Sequence, residues 1–388
     1  MAGKAKKTSS CAGGREERDL LMENMLSNEE RSNSRFGDAR HALCHDFRLG
    51  SGVGTRLYSV LMDGPSKTYT AADCQTPDNE VGAIEKLREV GNFFRFARWP
   101  VEYSKTKHSL HPGDARDLNW IPDESIHLIV TSPPYWTLKE YVPHECQMGA
   151  IADYDIFLAE LDKVWKECAR VLVPGGRICC VVGDVCLPRK KAGRHYIMPL
   201  HADIMTRTRR MGLDSLTPIL WSKISNGATE AEGNGAGFYG KPYQPGAIVK
   251  NDFEYILFLR KGGAYRSPTP MQKALSVLSK EEMRQWLRTT WSDVKGESTR
   301  KGHPAPYPVE LAERLIRLFS FAGDTVLDPF AGTGTTSVAA IRCGRNSIAN
   351  ELEPKYLTIA KERLCKAQGS KLFHAPFDVD IVIEGGSR

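Results

Sequence analysis

The sequence predicts an α/β protein built on a doubly wound, mostly parallel sheet. Three stretches carry that prediction. Residues 126–131 form a short, β-branched apolar run that stops at Pro133 and Pro134, the pattern of a buried strand. Apolar residues then recur three and four apart at Phe157, Leu161, Val164, Trp165, Cys168, Val171 and Leu172, which is one face of a helix, before a second apolar run at 177–182. Residues 325–336 join a strand, a glycine turn and a helix start without interruption. A parallel neighbour can be reached only by a crossover, so strand, helix and strand in alternation point to parallel pairing.

Taken in order, residues 1–34 are polar and rich in Ser, Lys and Glu, the composition of a disordered or docking tail. Residues 35–107 form a mixed N-terminal extension, with helical periodicity near 80–92 and aromatics at Phe93, Phe94, Phe96 and Trp99. Gly50, Gly52 and Gly54 read as a flexible turn, because no strand leads into them and no helix leaves. A short strand around Leu110 ends at Gly113-Asp114. The periodic helix is stopped by Pro174-Gly175-Gly176, and the next strand ends at Gly183-Asp184.

Between 188 and 211 stand seven basic residues, Arg189, Lys190, Lys191, Arg194, Arg207, Arg209 and Arg210, against the single acid Asp203. Such a run serves either as a solvated face or as a contact for a polyanion. A helix is expected at 201–211 and strands at 217–221 and 252–259. Residues 225–246 mix Gly and Asn with Phe238, Tyr239, Lys241 and Tyr243, which is loop chemistry. His303-Pro304 lies shortly before an apolar helix at Val309–Phe319, and a strand at 346–350 ends at Glu351.

The chain of 388 residues, 41% hydrophobic and 26% charged, can bury a full core. It has no apolar run of membrane length and no apolar stretch at its N-terminus, so a cytoplasmic protein with no membrane partner is expected. The net charge of +6 permits nucleic acid as a partner without requiring it. Ten cysteines include no Cys-x-x-Cys pair, and adjacent Cys179 and Cys180 must point to opposite faces of a strand, so reduced, buried thiols are expected. His41, Cys44 and His45 have no second half nearby, so no metal site is expected.

Pro133 and Pro134 fix φ and supply no N–H, which holds the carbonyls of Ser132 and Pro133 rigid beside Tyr135. Rigid acceptors next to an exposed aromatic suit a planar base bearing an amino group; taken alone, the stretch reads equally as a surface turn. Downstream, Gly332 and Gly334 allow close approach of a ligand, and Thr335 or Thr336 can cap the helix. The turn has no lysine, which argues against a phosphate loop, and the third position of a dinucleotide fingerprint is Ser337. Asp328 would repel a pyrophosphate. Glu351, 23 positions beyond Asp328, sits where a carboxylate takes ribose hydroxyls. S-adenosylmethionine, with a ribose and two cationic groups but no phosphate, suits this set; a structural βαβ unit without ligand stays open.

Residues 131–136 resemble the catalytic motif of amino-methylating DNA methyltransferases. With the cofactor turn about two hundred positions later, the order resembles the permuted β group of that family over residues 108–367. The resemblance implies a circularly permuted, Rossmann-like methyltransferase domain at 108–370, with a catalytic half at 108–225, a recognition region at about 226–300, a cofactor half at 301–370, and a C-terminal tail at 371–388. It implies catalysis by Ser132, Pro133, Pro134 and Tyr135, with Tyr135 stacking on a flipped base and Trp136 packing behind. It assigns S-adenosylmethionine to Asp114, His303, Pro304, Asp328, Pro329, Phe330, Gly332, Gly334, Thr335 and Glu351. Serine in the first catalytic position resembles cytosine-N4 enzymes of restriction–modification, where Asp or Asn is commoner in adenine-N6 enzymes. Double-stranded DNA is then the partner, with Arg189, Lys190, Lys191, Arg194, Lys241 and Tyr243 as contacts, residues 266–291 as a further candidate for readout, and a bacterial, nucleoid-associated location. The resemblance leaves open a separate restriction endonuclease, and monomer against homodimer. A nucleic-acid-binding protein that kept the fold without the chemistry is the alternative of another class; two intact motifs argue against it.

Overall fold

The computed structural model describes residues 69, 82–138, 144–187, 189–222, 251–297, 307–368 and 378–383, all in one compact unit, Tyr69–Arg388. In chain order the elements are α1 (Ala83–Phe94), β1 (Lys105–Pro112), β2 (Ile126–Thr131), α2 (Tyr154–Val171), β3 (Leu172–Val182), β4 (Val185–Leu187), α3 (Arg189–Ala192), β5 (Tyr196–Met198), α4 (Leu200–Arg210), β6 (Leu213–Ser222), β7 (Phe253–Lys261), α5 (Pro270–Ser276), α6 (Lys280–Trp286), β8 (Thr290–Trp291), α7 (Val309–Phe319), β9 (Thr325–Asp328), α8 (Thr335–Cys343), β10 (Asn346–Glu351), α9 (Pro354–Gln368) and β11 (Asp378–Ile383).

Nine strands form one sheet in the order β11-β1-β10-β9-β2-β3-β7-β6-β8, while β4 and β5 pair as a separate antiparallel hairpin. Among the described strands of the large sheet, only β7 runs against its neighbours. This is the doubly wound, mostly parallel sheet that the alternation predicts. Its two faces bury separate cores. Ile129, Cys180 and Val182 pack with Phe157, Leu161 and Trp165 of α2 on one side; Leu128, Val130, Cys179 and Val181 pack with Leu311, Leu315 and Ala339 of α7 and α8 on the other. Cys179 and Cys180 therefore face opposite sides, and burial pushes both thiols well up. Each fully buried large side chain contributes about 1.5–3 kcal/mol of transfer free energy, so both faces must stay covered.

Helix α2 starts where Asp153 accepts a hydrogen bond from the Ile156 N–H at 2.9 Å, a side-chain N-cap. Its end departs from the expected punctuation. β3 begins at Leu172, opposite Ile126, and regains register at Arg177, opposite Leu128, so Pro174-Gly175-Gly176 is looped out of the ladder rather than placed before the strand. In β6 the register with β7 shifts between Leu216 and Ile219, where Pro218 has no N–H to give the ladder.

Two other boundaries differ from the sequence reading. β1 starts at Lys105, inside the stretch assigned to the extension, and α1 packs Val90 and Phe94 against Met271 and Ala274 of α5. Residues 378–383, read as part of a tail, form the edge strand β11 beside β1. Within the stretch 266–291, a candidate for DNA readout, Trp286 and Trp291 belong to the core and Arg266 is ion-paired with the buried Asp324. Aromatics in a polar stretch suggest contact chemistry; here they anchor the stretch to the sheet. Among the described residues no helix is long and apolar enough to cross a membrane.

Candidate active site

The strand order reverses direction between β9 and β2. From β2 the chain crosses by α2 to β3 on one side, and from β9 by α8 to β10 on the other. Open α/β sheets form a crevice at the carboxyl ends of strands at such a point. Here those ends are Thr131 and Asp328. Thr131 Oγ1 donates to Asp328 Oδ1 at 2.7 Å, and the same carboxylate accepts from Thr336 Oγ1 at 2.7 Å, from Tyr307 OH at 2.9 Å and from the Phe330 N–H at 3.1 Å. Burial pushes Asp328 above the usual carboxylate range, against the pull of these donors.

One cleft opens beside this brace. Ser132, Pro133 and Pro134 line it from the β2 loop, Pro329 and Phe330 from the β9 turn, Glu351 from the end of β10, and Gly113 and Asp114 from the end of β1. The two motifs that are distant in sequence thus share one cavity wall. Glu351 Oε2 accepts from the Gly332 N–H at 2.7 Å and Oε1 from the Glu353 N–H at 2.9 Å, so the carboxylate that faces the cleft also fixes the glycine turn. Burial pushes its pKa up. Burial also pushes Asp114 up, but the Arg116 guanidinium, hydrogen-bonded to both carboxylate oxygens at 3.0 Å, outweighs that and holds it below the usual range.

Asp328, Gly332, Gly334 and Thr335 are not among the residues lining the cleft. Asp328 is 1% exposed and spends its carboxylate on the internal brace described above. Gly334, not a threonine, is the N-cap of α8 with φ 75°, and a Cβ there would meet Ala360 Cβ at 2.9 Å; its absence lets α8 and α9 pack. Thr335 Oγ1 accepts from Arg363 at 3.1 Å. The sequence reading missed Gln147, Met148, Leu352 and Tyr356, which also line the cleft. Leu352 and Tyr356 follow Glu351 closely enough to be found from the strand end; Gln147 and Met148 carry no such signal.

The reading of Tyr135 as an exposed aromatic is corrected. Its ring is 6% exposed within the core, and its hydroxyl donates towards the Val181 carbonyl and Glu254 Oε2, each at 3.2 Å, while Ser132 Oγ donates to it at 3.1 Å. Trp136 packs behind as expected, with Nε1 donating to the Ile151 carbonyl at 2.8 Å and its ring edge-on to Tyr154. Its φ of 47° is left-handed for a side-chain-bearing residue, a local strain of about 1–2 kcal/mol that the packing must offset.

The β4–β5 hairpin abuts the turn Trp136–Leu138 and carries Arg189 and Lys190, both exposed, with the Arg194 guanidinium 5.2 Å from the Tyr196 ring. Lys191 lies on the same short helix. Lys241, Tyr243, His303, Pro304 and the group His41, Cys44 and His45 lie outside the described residues.

The sequence profile described as DNA methylase, of the N6/N4 type, matches residues 126–362 and so spans both motifs. The chain belongs to the N6/N4 DNA methylase family. The type II methyltransferase M.MjaI of Methanocaldococcus jannaschii is 36% identical over 310 residues, covering 72% of this chain and 98% of that protein. TTHA0409 of Thermus thermophilus, a putative DNA modification methylase solved in complex with S-adenosyl-L-methionine, is 47% identical with a TM-score of 0.58, covering 72% of this chain and 100% of that one. The DNA adenine methyltransferase YhdJ of Escherichia coli is 28% identical, over 68% of this chain and 85% of its own length.

For a DNA methylase the charge of the cleft is informative. Among the described residues no lysine or arginine lines it, whereas Glu351 and Asp114 do, together with the apolar Pro329, Phe330 and Leu352. Among these described residues a phosphate-bearing nucleotide would find no counter-charge. A ribonucleoside that carries cationic groups, as S-adenosylmethionine does, fits both the acids and the apolar walls.

Proposed function

We propose that this DNA methylase is a site-specific enzyme of the restriction–modification type, methylating the exocyclic N4 amine of a cytosine turned out of duplex DNA. The observation that carries the reading is Ser132 at the mouth of β2, lining the same cleft as Phe330 and Glu351. S-adenosylmethionine, when bound, would supply a methyl group on a sulfonium, and Glu351, Phe330 and Asp114 are the residues that would hold it.

An exocyclic amine is a weak nucleophile because its lone pair is delocalised into the ring. Ser132 Oγ and the Pro133 carbonyl accept its two hydrogens, which turns the nitrogen towards tetrahedral geometry and frees the lone pair for attack. Pro133 and Pro134 keep those acceptors from moving, so the catalytic gain comes from positioning and exclusion of water. No covalent intermediate is required. The hairpin with Arg189, Lys190, Lys191 and Arg194 stands next to the catalytic loop and contacts the DNA backbone, and the loop bearing Lys241 and Tyr243 supplies further contacts.

Adenine N6 is the second reading, favoured by the likeness to YhdJ. Incubation with tritiated S-adenosylmethionine and duplex DNA, followed by mass spectrometry of the labelled nucleoside, separates the two. N4-methylcytosine supports the first reading, and N6-methyladenine replaces it with the second. Label in neither DNA nor RNA would identify a binding protein that has lost its chemistry.

A further inference from the structure

The antiparallel strand β7 brings a carboxylate up behind the catalytic loop. Tyr135 Oη lies 3.1 Å from Ser132 Oγ, 3.2 Å from Glu254 Oε2 and 3.2 Å from the Val181 carbonyl oxygen. Glu254 sits near the start of β7, two strands from β2, and is partly exposed. Gly183 makes room for this arrangement: a Cβ there would stand 3.3 Å from Glu254 Cγ and 3.4 Å from Tyr135 Cε2.

The phenol has one proton, and both a carbonyl and a carboxylate can only accept it. That proton is therefore turned towards Val181 and Glu254, and a lone pair of Tyr135 faces Ser132. Ser132 must donate to it. With its own proton committed inwards, Ser132 Oγ presents only lone pairs to the cleft. We propose that Glu254 is a positioning residue that, together with the Val181 carbonyl, sets the direction of the Ser132–Tyr135 hydrogen bond, making Ser132 an obligate acceptor that recognises a base by its amino group. This rests on the reading of Ser132 as the amine acceptor. Cytosine and adenine offer an N–H₂ donor at that edge, while guanine and thymine offer carbonyl oxygens, which meet the Ser132 lone pairs as like with like. Selection of amino against keto bases is thus built two hydrogen bonds behind the residue that touches the base.

The test compares two neutral residues of similar length that differ in one property. Glu254→Gln keeps an oxygen acceptor; Glu254→Met does not. The full chain is assayed with tritiated S-adenosylmethionine and unmethylated duplex DNA of mixed sequence, and each variant is checked by thermal melting and by calorimetric binding of S-adenosylmethionine. We expect Glu254→Met, in which the Val181 carbonyl still accepts from the phenol but the carboxylate does not, to lose about three- to tenfold in kcat with cofactor affinity kept within about threefold, and Glu254→Gln to stay within about twofold of the parent rate. Adding Glu254→Met to Tyr135→Phe should change the rate by less than about twofold, since the intermediary is already gone.

Equal losses in the Gln and Met variants, an unaltered rate in the Met variant, or an equal loss on the Tyr135→Phe background would each overturn the proposal. Should the Met variant not fold, Tyr135→Phe at the parent rate overturns it. Ser132→Ala at the parent rate would instead remove the underlying reading of the site.

Discussion

Thr131 and Asp328 stand 197 residues apart in the chain, and the hydroxyl of one donates to the carboxylate of the other at 2.7 Å, with both side chains all but sealed from solvent. Around them β2 and β9 share only the register pairs Leu128–Val326 and Ile129–Leu327, so this hydrogen bond closes a short seam where the two halves of the sheet meet. Thr131→Val removes one charge-assisted bond and should cost about 1–3 kcal/mol in urea denaturation. Asp328→Ala strands the hydroxyls of Thr131, Tyr307 and Thr336 together, and a loss above about 3 kcal/mol is expected. Equal costs for the two variants would show that the carboxylate is not the hub.

Ser132→Ala removes the acceptor that faces the cleft and leaves the cofactor walls in place. We expect kcat to fall by about a hundredfold or more with the dissociation constant for S-adenosylmethionine kept within about threefold. Single-turnover methylation and isothermal calorimetry measure the two quantities separately.

Glu351 works twice, as a wall of the cleft and as the acceptor for Gly332 N–H. Glu351→Ala is expected to weaken S-adenosylmethionine binding by about 10- to 100-fold, the worth of a hydrogen bond to a charged group. DNA binding measured without cofactor should be unaffected.

The hairpin between β4 and β5 offers a salt-dependence test. Each phosphate contact removed flattens the plot of log affinity against log salt by about 0.9. Arg189, Lys190 and Arg194 replaced together by Ala should therefore lower the slope by up to about 2.7 and weaken binding to every DNA sequence alike. An unchanged slope would return the hairpin to a solvated face.

His108 gives the fold an acid limit. Its ring is fully buried in β1, with Nδ1 2.8 Å from Ser347 Oγ and Nε2 3.0 Å from Thr106 Oγ1, and burial lowers its pKa from 6.5 to about 3. The unfolded chain then binds a proton that the folded one refuses, so the contribution is full above pH 6.5 and is lost as the pH falls from there towards 3. The loss amounts to roughly 3–5 kcal/mol across that range. In His108→Gln, stability between pH 7 and pH 4 should fall less steeply than in the parent, as read by urea midpoints.

The pattern of apolar runs made the sheet legible, and it made β2, α2, β3, β9 and β10 legible in particular, because strands buried on both faces leave little ambiguity in composition. Side-chain direction was not legible. Tyr135 and Asp328 both stand at the expected strand mouths, yet each turns inward, since a neighbouring hydroxyl or N–H can claim a polar side chain only once distant strands are adjacent. Glu254 and Gln147 went unseen for the same reason: nothing local to 254 or 147 announces Tyr135 or the cleft. β11 was missed because a six-residue run, Asp378-Val379-Asp380-Ile381-Val382-Ile383, in a polar terminus resembles a tail until β1 supplies a ladder.

The position of β1 has a consequence for how the protein is made. Of the described strands of the sheet it is the first to leave the ribosome, yet its two partners, β10 and β11, are the last, at Asn346–Glu351 and Asp378–Ile383. Until they emerge, β1 waits with both edges unpaired, and the sheet cannot close from the N-terminus onwards. Completion is therefore non-local, and the edges of β1 stay open to other chains until then. A stop codon before 378 would cost only a short edge strand in length but would leave β1 as an open edge for another chain to pair with.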